Sequence, residues 1–322
     1  MNMLLLIFVF SFLATFLIIP RLIPGLIEAD LTGKDRNKEG FPVVPEMGGL
    51  GIVAGFVVGV LLMIALTTFD IIPQDVSLIH ILAALSTILI MSLIGIIDDL
   101  FIIKQHIKAM LPLFAALPLV AVKAGVTSMT MPFFGTINFS IFYILILIPI
   151  AIAGASNATN MLAGFNGLEA GLGVVIFSTI LIVSYMTNNI ESMVISLAML
   201  GSLLAFLYYN WYPAKILIGD VGTLSIGAAV ATSVIIGNIE KVGIILILPF
   251  FAELILKMRS RFKAESWCEV KGKLLICPSK DEVYGLGRLV MYLAKGITEE
   301  KLVLTIIGIE AIFGVIAILS YI

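Results

Sequence analysis

Ten apolar runs, each close to the length that crosses a bilayer, constrain this 322-residue chain more than any other feature. A membrane span takes about 20 mainly apolar residues. Such runs fall at about 3–22, 48–68, 78–97, 109–124, 139–156, 167–187, 192–209, 222–237, 241–257 and 302–321. Inside hydrocarbon the backbone satisfies its polar groups only in helices or closed barrels, and runs of this length are helical. The expected fold is therefore an all-α polytopic membrane protein with about ten transmembrane helices. Composition agrees, since 61% hydrophobic residues, 12% charged residues and a mean hydropathy of +1.17 lie far from the soluble norm of roughly half apolar and a quarter charged. The first run has no small-residue cleavage site, so it is expected to stay as a helix and not to be removed as a signal peptide.

Orientation follows from the basic residues, because positive loops stay in the cytoplasm. All of the 19 Lys and Arg except Lys123 and Lys241 fall in the loops after runs 1, 3, 5, 7 and 9. The opposite loops are short and slightly acidic, with Asp70, Asp75, Glu191 and Glu240. Both termini are expected outside, with the odd loops in the cytoplasm. A net charge of −2 hides this asymmetry and gives no reason to expect nucleic acid as a partner.

No second soluble domain is expected: residues 1–322 form one transmembrane unit, with 258–301 as a cytoplasmic loop inside it that serves substrate recognition. Within that loop, 266–277 reads as a hairpin turning at Lys271-Gly272. Ser279-Lys-Asp-Glu282 reads as a capping box that opens an amphipathic helix, with Val283, Leu286, Leu289, Val290 and Leu293 on one stripe and Gly296 as its stop. Cys268 and Cys277 share the loop, and in a reducing compartment such cysteines read as small hydrophobes. Their spacing is not that of a zinc site, and His80 and His106 lie far away in sequence.

Four polar clusters close the apolar runs on the cytoplasmic side. Asp98-Asp99 ends one run and Lys108 opens the next; paired carboxylates there need a metal, a cation or water, and an ammonium can also screen phosphate. Residues 157–171 gather three asparagines, a glutamate and several glycines between apolar runs, a costly composition at a membrane edge that marks a substrate site. Gly219-Asp220 opens the eighth run; Mg²⁺ takes hard oxygen ligands and few protein carboxylates, which suits an amide oxygen from Asn160 with the Asp220 carboxylate. Lys257, Arg259, Arg261 and Lys263 form the fourth cluster, readable either as a topology determinant or as a clamp for a diphosphate.

Asp98-Asp99 with Lys108, the 157–171 segment and Gly219-Asp220 together resemble the polyprenyl-phosphate N-acetylhexosamine-1-phosphate transferases in order and spacing. The resemblance is greatest to the eukaryotic and archaeal branch that uses UDP-GlcNAc and dolichyl phosphate, and 33–38, Pro45-Glu46, 209–213 and 272–274 extend it along most of the chain. It implies transfer of N-acetylglucosamine-1-phosphate to a polyprenyl or dolichyl phosphate, with Mg²⁺, or Mn²⁺ in its place, on Asn160 and Asp220. It further implies Asp98, Asp99 and Lys108 at the reaction centre. Lys38, Glu46, Asn157, Gly164, Asn166, Leu217, Arg261 and Lys263 are implied as substrate-binding, with Gly164 and Asn166 beside the uracil and Arg261 on the diphosphate. Lys263 stands where a second arginine is usual, and lacks the bidentate fork. The histidine-rich loop of the bacterial cell-wall members is absent, which argues against their donor substrate.

Two further readings compete. Another UDP-N-acetylhexosamine could replace UDP-GlcNAc. A nucleotide-sugar or phosphate transporter would place charge near the membrane midplane, where only Glu253 and Glu310 fall. Gly51, Gly55 and Gly59, spaced by four, form a helix-packing face for a neighbouring helix or for a second copy in a homodimer. The expected place is a multi-pass cell membrane with the site facing the cytoplasm, or the endoplasmic reticulum membrane in a eukaryote.

Overall fold

The computed structural model describes residues 2–71, 76–101, 103–131 and 135–322; Asp75 of the acidic loops lies outside them. The apolar runs form helices α1 (Asn2–Glu28), α2 (Gly49–Thr68), α3 (Leu78–Phe101), α4 to α6 (Gln105–Met110, Pro112–Ala115, Leu117–Ala121) and α7 (Ile148–Met161), the last preceded by a π-helical turn at Tyr143–Leu147. Then come α8 (Leu168–Met186), α9 (Ile190–Asn210), α10 (Gly219–Gly237), α11 (Glu240–Leu246), α12 (Leu248–Met258), α13 (Leu286–Leu293) and α14 (Glu299–Leu319). Three two-stranded antiparallel hairpins join them: β1 (Thr32–Lys34) with β2 (Val43–Pro45), β3 (Ser128–Met131) with β4 (Gly135–Asn138), and β5 (Glu269–Lys271) with β6 (Leu274–Ile276).

Among the described residues eight helices are long and apolar enough to cross a membrane, so the protein is an all-α polytopic membrane protein. The runs at 109–124 and 241–257, expected as unbroken spans, are instead segmented. Pro112 and Pro118 sit at the starts of α5 and α6, and Pro249 at the start of α12. Proline has no N–H to give the helix ladder and its ring crowds the carbonyl four residues back, so the run bends at each one.

Helix α10 is the axis of the bundle: every residue from Val221 to Gly237 is buried. It packs on α2, α3, α7 and α9. Glycines let the backbones touch. A Cβ on Gly49 of α2 would lie 2.2 Å from the Gly222 nitrogen, one on Gly95 of α3 would lie 2.5 Å from the Val221 Cα, and one on Gly227 would lie 2.5 Å from the Ser156 Cα of α7. These contacts fix how far each neighbour has slid along α10. One turn beyond Gly95 is Asp99, and one turn beyond Ser156 is Asn160, so both arrive at the first turn of α10. The glycine face of α2 is used inside the chain: Gly51 meets Ile19, Gly55 meets Thr15 and Ser202, and Gly59 meets Ser11 and Ala198. It is therefore closed to a second copy.

In the loop after α12 the hairpin turns at Gly272 and Lys273, Gly272 taking a φ of 62° that suits glycine. The capping box behaves differently from expectation. Ser279 accepts the Asp281 N–H but opens only a 3₁₀ turn at Lys280–Glu282. Helix α13 begins later, its Leu286 N–H held at 2.5 Å by the buried Glu253 carboxylate of α12. A long-range acceptor outcompetes the local cap.

Candidate active site

The first turn of α10 brings the carboxylates of α3 and the asparagine of α7 together. Lys108 pairs with Asp98 and lies 2.6 Å from Asp220. Asp98, buried at the end of α3, also accepts the Ile103 N–H at 3.0 Å, and its carboxylate and that of Asp220 share the Lys108 ammonium. Asp99 plays another part, since its two oxygens accept the N–H groups of Asp220 at 2.7 Å and Val221 at 3.0 Å. It ties down α10 through N–H groups that a helix start leaves without intrahelical partners. Gly219, with φ of 70°, permits this, because a Cβ there would stand 2.8 Å from an Asp99 oxygen and 3.0 Å from Met47.

Asn160 donates to Asp220 and, at 2.8 Å, to the Thr223 hydroxyl. The network assigns the NH2 to the Asp220 side, and a flip of the amide would present its oxygen there to a cation shared with the carboxylate. Glu46 and Asp220 face the same cavity of about 410 Å³, whose wall also includes Gly164, Asn166, Leu217, Arg36, Lys257 and Trp267. Burial, then the charge of Asp220, holds the Glu46 carboxyl above the usual range. Leu217 fixes the wall through its backbone, its N–H donating to Pro45 and its carbonyl accepting from Gly48, both at 2.8 Å.

A second network orders the asparagine loop. Asn166 donates to Asp35 at 3.1 Å, and its side-chain oxygen accepts from Lys38 at 2.6 Å and from the Ala214 N–H at 2.8 Å. Lys38 pairs with Asp35 and with Glu299 at 3.1 Å, while Glu299 also accepts the Asn166 N–H at 2.7 Å. Asn37 donates to the Gly164 carbonyl at 2.5 Å, and the Gly164 N–H donates to Glu169 at 2.6 Å. Lys38 thus orders the loop from behind. Asp35 and Arg36 fall in the 33–38 segment of the resemblance but had no role assigned from it, and Glu299 and Trp267 had no signal in the sequence beyond being an acidic and an aromatic residue at a helix or strand end.

Six expected residues lie off the cavity wall: Asp98, Lys108 and Lys38 belong to the networks of Asp220 and Asn166, which do line it, and the others are Asn157, Arg261 and Lys263. Asn157 donates to the Ala109 and Ala153 carbonyls, joining α7 to α4. Arg261 and Lys263 are exposed on the turn after α12, with φ of 54° at Arg261 and 60° at Phe262. Lys257, which the sequence left without a partner, lines the cavity and donates to the Met161 carbonyl at 2.7 Å, with Glu253 at 3.5 Å. Arg259, likewise without an expected partner, donates to the Val283 carbonyl at 3.1 Å.

The donor set suits a hard cation. Two carboxylates brought to one ammonium repel each other unless a cation or proton lies between them, and a carboxylate with an amide oxygen is the kind of pair magnesium accepts. Among the described residues no group of three His, Cys, Asp or Glu gathers as a metal cluster. Magnesium needs none, since water and phosphate fill most of its positions.

The glycosyl transferase family 4 profile matches residues 81–238. A protein of Saccharolobus solfataricus with the provisional name UDP-N-acetylglucosamine–dolichyl-phosphate N-acetylglucosaminephosphotransferase is 38% identical over 293 residues, covering 89% of this chain and 87% of its own. The chain belongs to glycosyl transferase family 4. The Dictyostelium discoideum UDP-N-acetylglucosamine–dolichyl-phosphate N-acetylglucosaminephosphotransferase is 31% identical over 284 residues, 74% of this chain and 68% of that one. The Clostridium perfringens phospho-N-acetylmuramoyl-pentapeptide-transferase is 31% identical over 257 residues, 74% and 76% of the two chains. In this family 4 member the profile covers the Asp98, Lys108, Asn160 and Asp220 cluster, while Lys38, Glu46, Lys257 and Glu299 lie outside it.

Proposed function

We propose that the protein transfers N-acetylglucosamine-1-phosphate from UDP-GlcNAc to a polyprenyl phosphate of the dolichyl type, giving polyprenyl-diphosphate-GlcNAc and UMP, a first lipid-linked step of glycan assembly. The observation that carries this reading is the Asp98–Lys108–Asp220 cluster beside a cavity of about 410 Å³, at one end of a membrane bundle. The names of the relatives supply the substrates.

The lipid phosphate has a second pKa near 6, so it is largely dianionic at neutral pH and is already a nucleophile. One of its oxygens attacks the β-phosphorus of the donor; the new P–O bond forms as the bond from that phosphorus to the bridging oxygen breaks, and UMP leaves with the electron pair. Lys108 opposes the charge that builds on the phosphates, and Lys257 adds a second ammonium at the wall. Asp220 and Asn160 would hold Mg²⁺, or Mn²⁺, which when bound supplies further positive charge to the diphosphate. Asn166 and Gly164, ordered by Lys38, Asp35 and Glu299, border the uracil. Arg261 and Lys263 sit on a turn that must close inward to meet the diphosphate. The direct route is favoured over a phosphoryl-aspartate, because Asp99 holds two backbone N–H groups and Asp98 is paired with Lys108.

The same reading takes ten crossings, two of them segmented by proline, with both termini outside and the cavity facing the cytoplasm; nearly all the basic residues lie at the cavity end. A transporter reading loses support from Glu253, whose oxygens serve Leu286 and Lys257. The deciding experiment incubates purified protein with UDP-GlcNAc, polyprenyl phosphate and Mg²⁺ and reads UMP release, with UDP-GalNAc alongside. Release with UDP-GlcNAc is expected. Absence of UMP with every UDP-N-acetylhexosamine would reject the proposal, and preference for another sugar would change its substrate.

A further inference from the structure

The chain has two cysteines, and the fold places them opposite one another. Strands β5 and β6 pair in the register Glu269 with Ile276, Val270 with Leu275 and Lys271 with Leu274. Continuing that register by one pair sets Cys268 against Cys277. Both thiols are reduced, and burial pushes that of Cys268 up to about 12.

The kind of pair matters. In an antiparallel ladder, opposed residues alternate between hydrogen-bonded pairs and non-hydrogen-bonded ones, and the latter bring the Cα atoms to about 4.5 Å. Leu275 turns both its N–H and its carbonyl away from β5, toward Ile297, at 2.8 and 3.1 Å. The Val270–Leu275 pair is therefore of the non-hydrogen-bonded kind. Two residues further along, Cys268 and Cys277 are of that kind again. Disulfides span Cα separations of about 4.4–6.8 Å, so this pair meets the requirement without moving the strands far.

The geometry points to Cys268 and Cys277 as the site of a reversible intrachain disulfide that fixes the strand bordering the candidate site. Cys268 follows Trp267, which lines the cavity and lies 4.8 Å beneath the Arg36 guanidinium. Cys268 itself, with Arg36, Lys38, Phe41 and Trp267, lines an adjoining space of about 370 Å³. The hairpin tip is held as well, the Gly272 N–H donating to Glu39 at 2.7 Å. A bridge at the open end of the hairpin would leave Trp267 anchored on both sides, since its carbonyl already accepts from Arg288 at 2.8 Å.

The oxidant is a low-molecular-weight disulfide. One thiolate attacks it, forming a mixed disulfide and releasing one small thiol; the second cysteine, as thiolate, displaces the other small thiol and closes the ring. Two protein thiols are oxidised and one small disulfide is reduced to two thiols.

The test uses the full chain in lipid nanodiscs with oxidised glutathione. Expected are loss of both free thiols, a mass lower by two hydrogens, and a proteolytic fragment joining 268 to 277; Cys268→Ser and Cys277→Ser should give only glutathione adducts. A second arm compares the donor KM of the oxidised and reduced protein, and it rests on the donor occupying this cavity. Oxidation should lower that KM in the wild type and leave a Cys268→Ser/Cys277→Ser protein unchanged. The proposal is overturned if the folded wild type keeps both thiols, or carries glutathione on each, while the same protein in denaturant forms the bridge. An intact bridge with an unaltered KM would overturn its hold on the site. Failure of the transferase reading itself would show as no turnover in either redox state, with the thiol count unaffected.

Discussion

Asp99 holds the N–H of Asp220 at 2.7 Å, so one of the two adjacent carboxylates of α3 positions the residue with which the other shares Lys108. The pair divides its work: Asp98 faces the charge cluster, while Asp99 ties down the start of α10. Asp220→Ala and Asn160→Ala should each remove nearly all UMP release while the protein stays folded. Asp99→Ala should lower activity and also stability, by about 1–2 kcal/mol for a lost cap at a helix start. Activity assays beside thermal melts check both; an Asp99→Ala protein that melts like the wild type would contradict the division.

Direct transfer needs both substrates bound together. A phosphoryl-enzyme would release UMP before lipid arrives. No lipid-independent UMP burst is expected in rapid-quench measurements, and labelled UMP should not exchange into UDP-GlcNAc without lipid. A burst equal to the enzyme concentration would favour the two-step route.

Lys257 and Arg261 should separate by symptom. Lys257→Ala removes a wall charge and the cation beside the buried Glu253, so donor KM should rise and stability should fall by about 3 kcal/mol, the lower end for breaking a buried pair. Arg261 is exposed, so Arg261→Ala should leave the melting temperature alone and raise donor KM, by about 2 kcal/mol or more if the turn closes on the diphosphate. Titrations of donor against each variant distinguish the two. Unchanged KM in Arg261→Ala would mean that the turn stays open.

Glu240 lies at the other end of the bundle, where it accepts the Tyr143 hydroxyl at 2.5 Å and burial holds its carboxyl above the ordinary 4.5. Between the two values the folded protein binds the extra proton and the unfolded chain does not, so stability contributed by this group falls as pH rises from about 4.5. Glu240→Gln keeps an acceptor for Tyr143 and should flatten that fall. Melting temperatures across pH for the wild type and the variant test it.

Much of this was legible in the sequence, for particular reasons. Hydropathy located the helices because each apolar run has to satisfy its own backbone in lipid. The Asp98, Lys108, Asn160 and Asp220 cluster was legible because polar residues ending apolar runs are costly enough to need a purpose. The roles of Glu299 and Asp35 were not: an acidic residue at a helix start or just after a strand looks like an ordinary solvated one, and only the closed fold buries both against Lys38 and Asn166. The start of α13 was misplaced because Glu253, 33 residues away, supplies the cap that the local sequence offered at Ser279. The exposed position of Arg261 depends on a turn with two positive φ angles, which residue types alone do not announce.

The dependence of the site on α10 also sets a schedule for biosynthesis. Between Lys108 and its partner Asp220 the ribosome must make 112 residues. At about 5–20 residues per second that interval is roughly 6–22 s. Throughout it the nascent chain carries Asp98 and Asp99, and from about midway Asn160, without the helix that will engage them. The transferase centre thus cannot exist until two thirds of the molecule has been made, and a chain arrested before α10 is a set of inserted helices with its polar residues still waiting for one another.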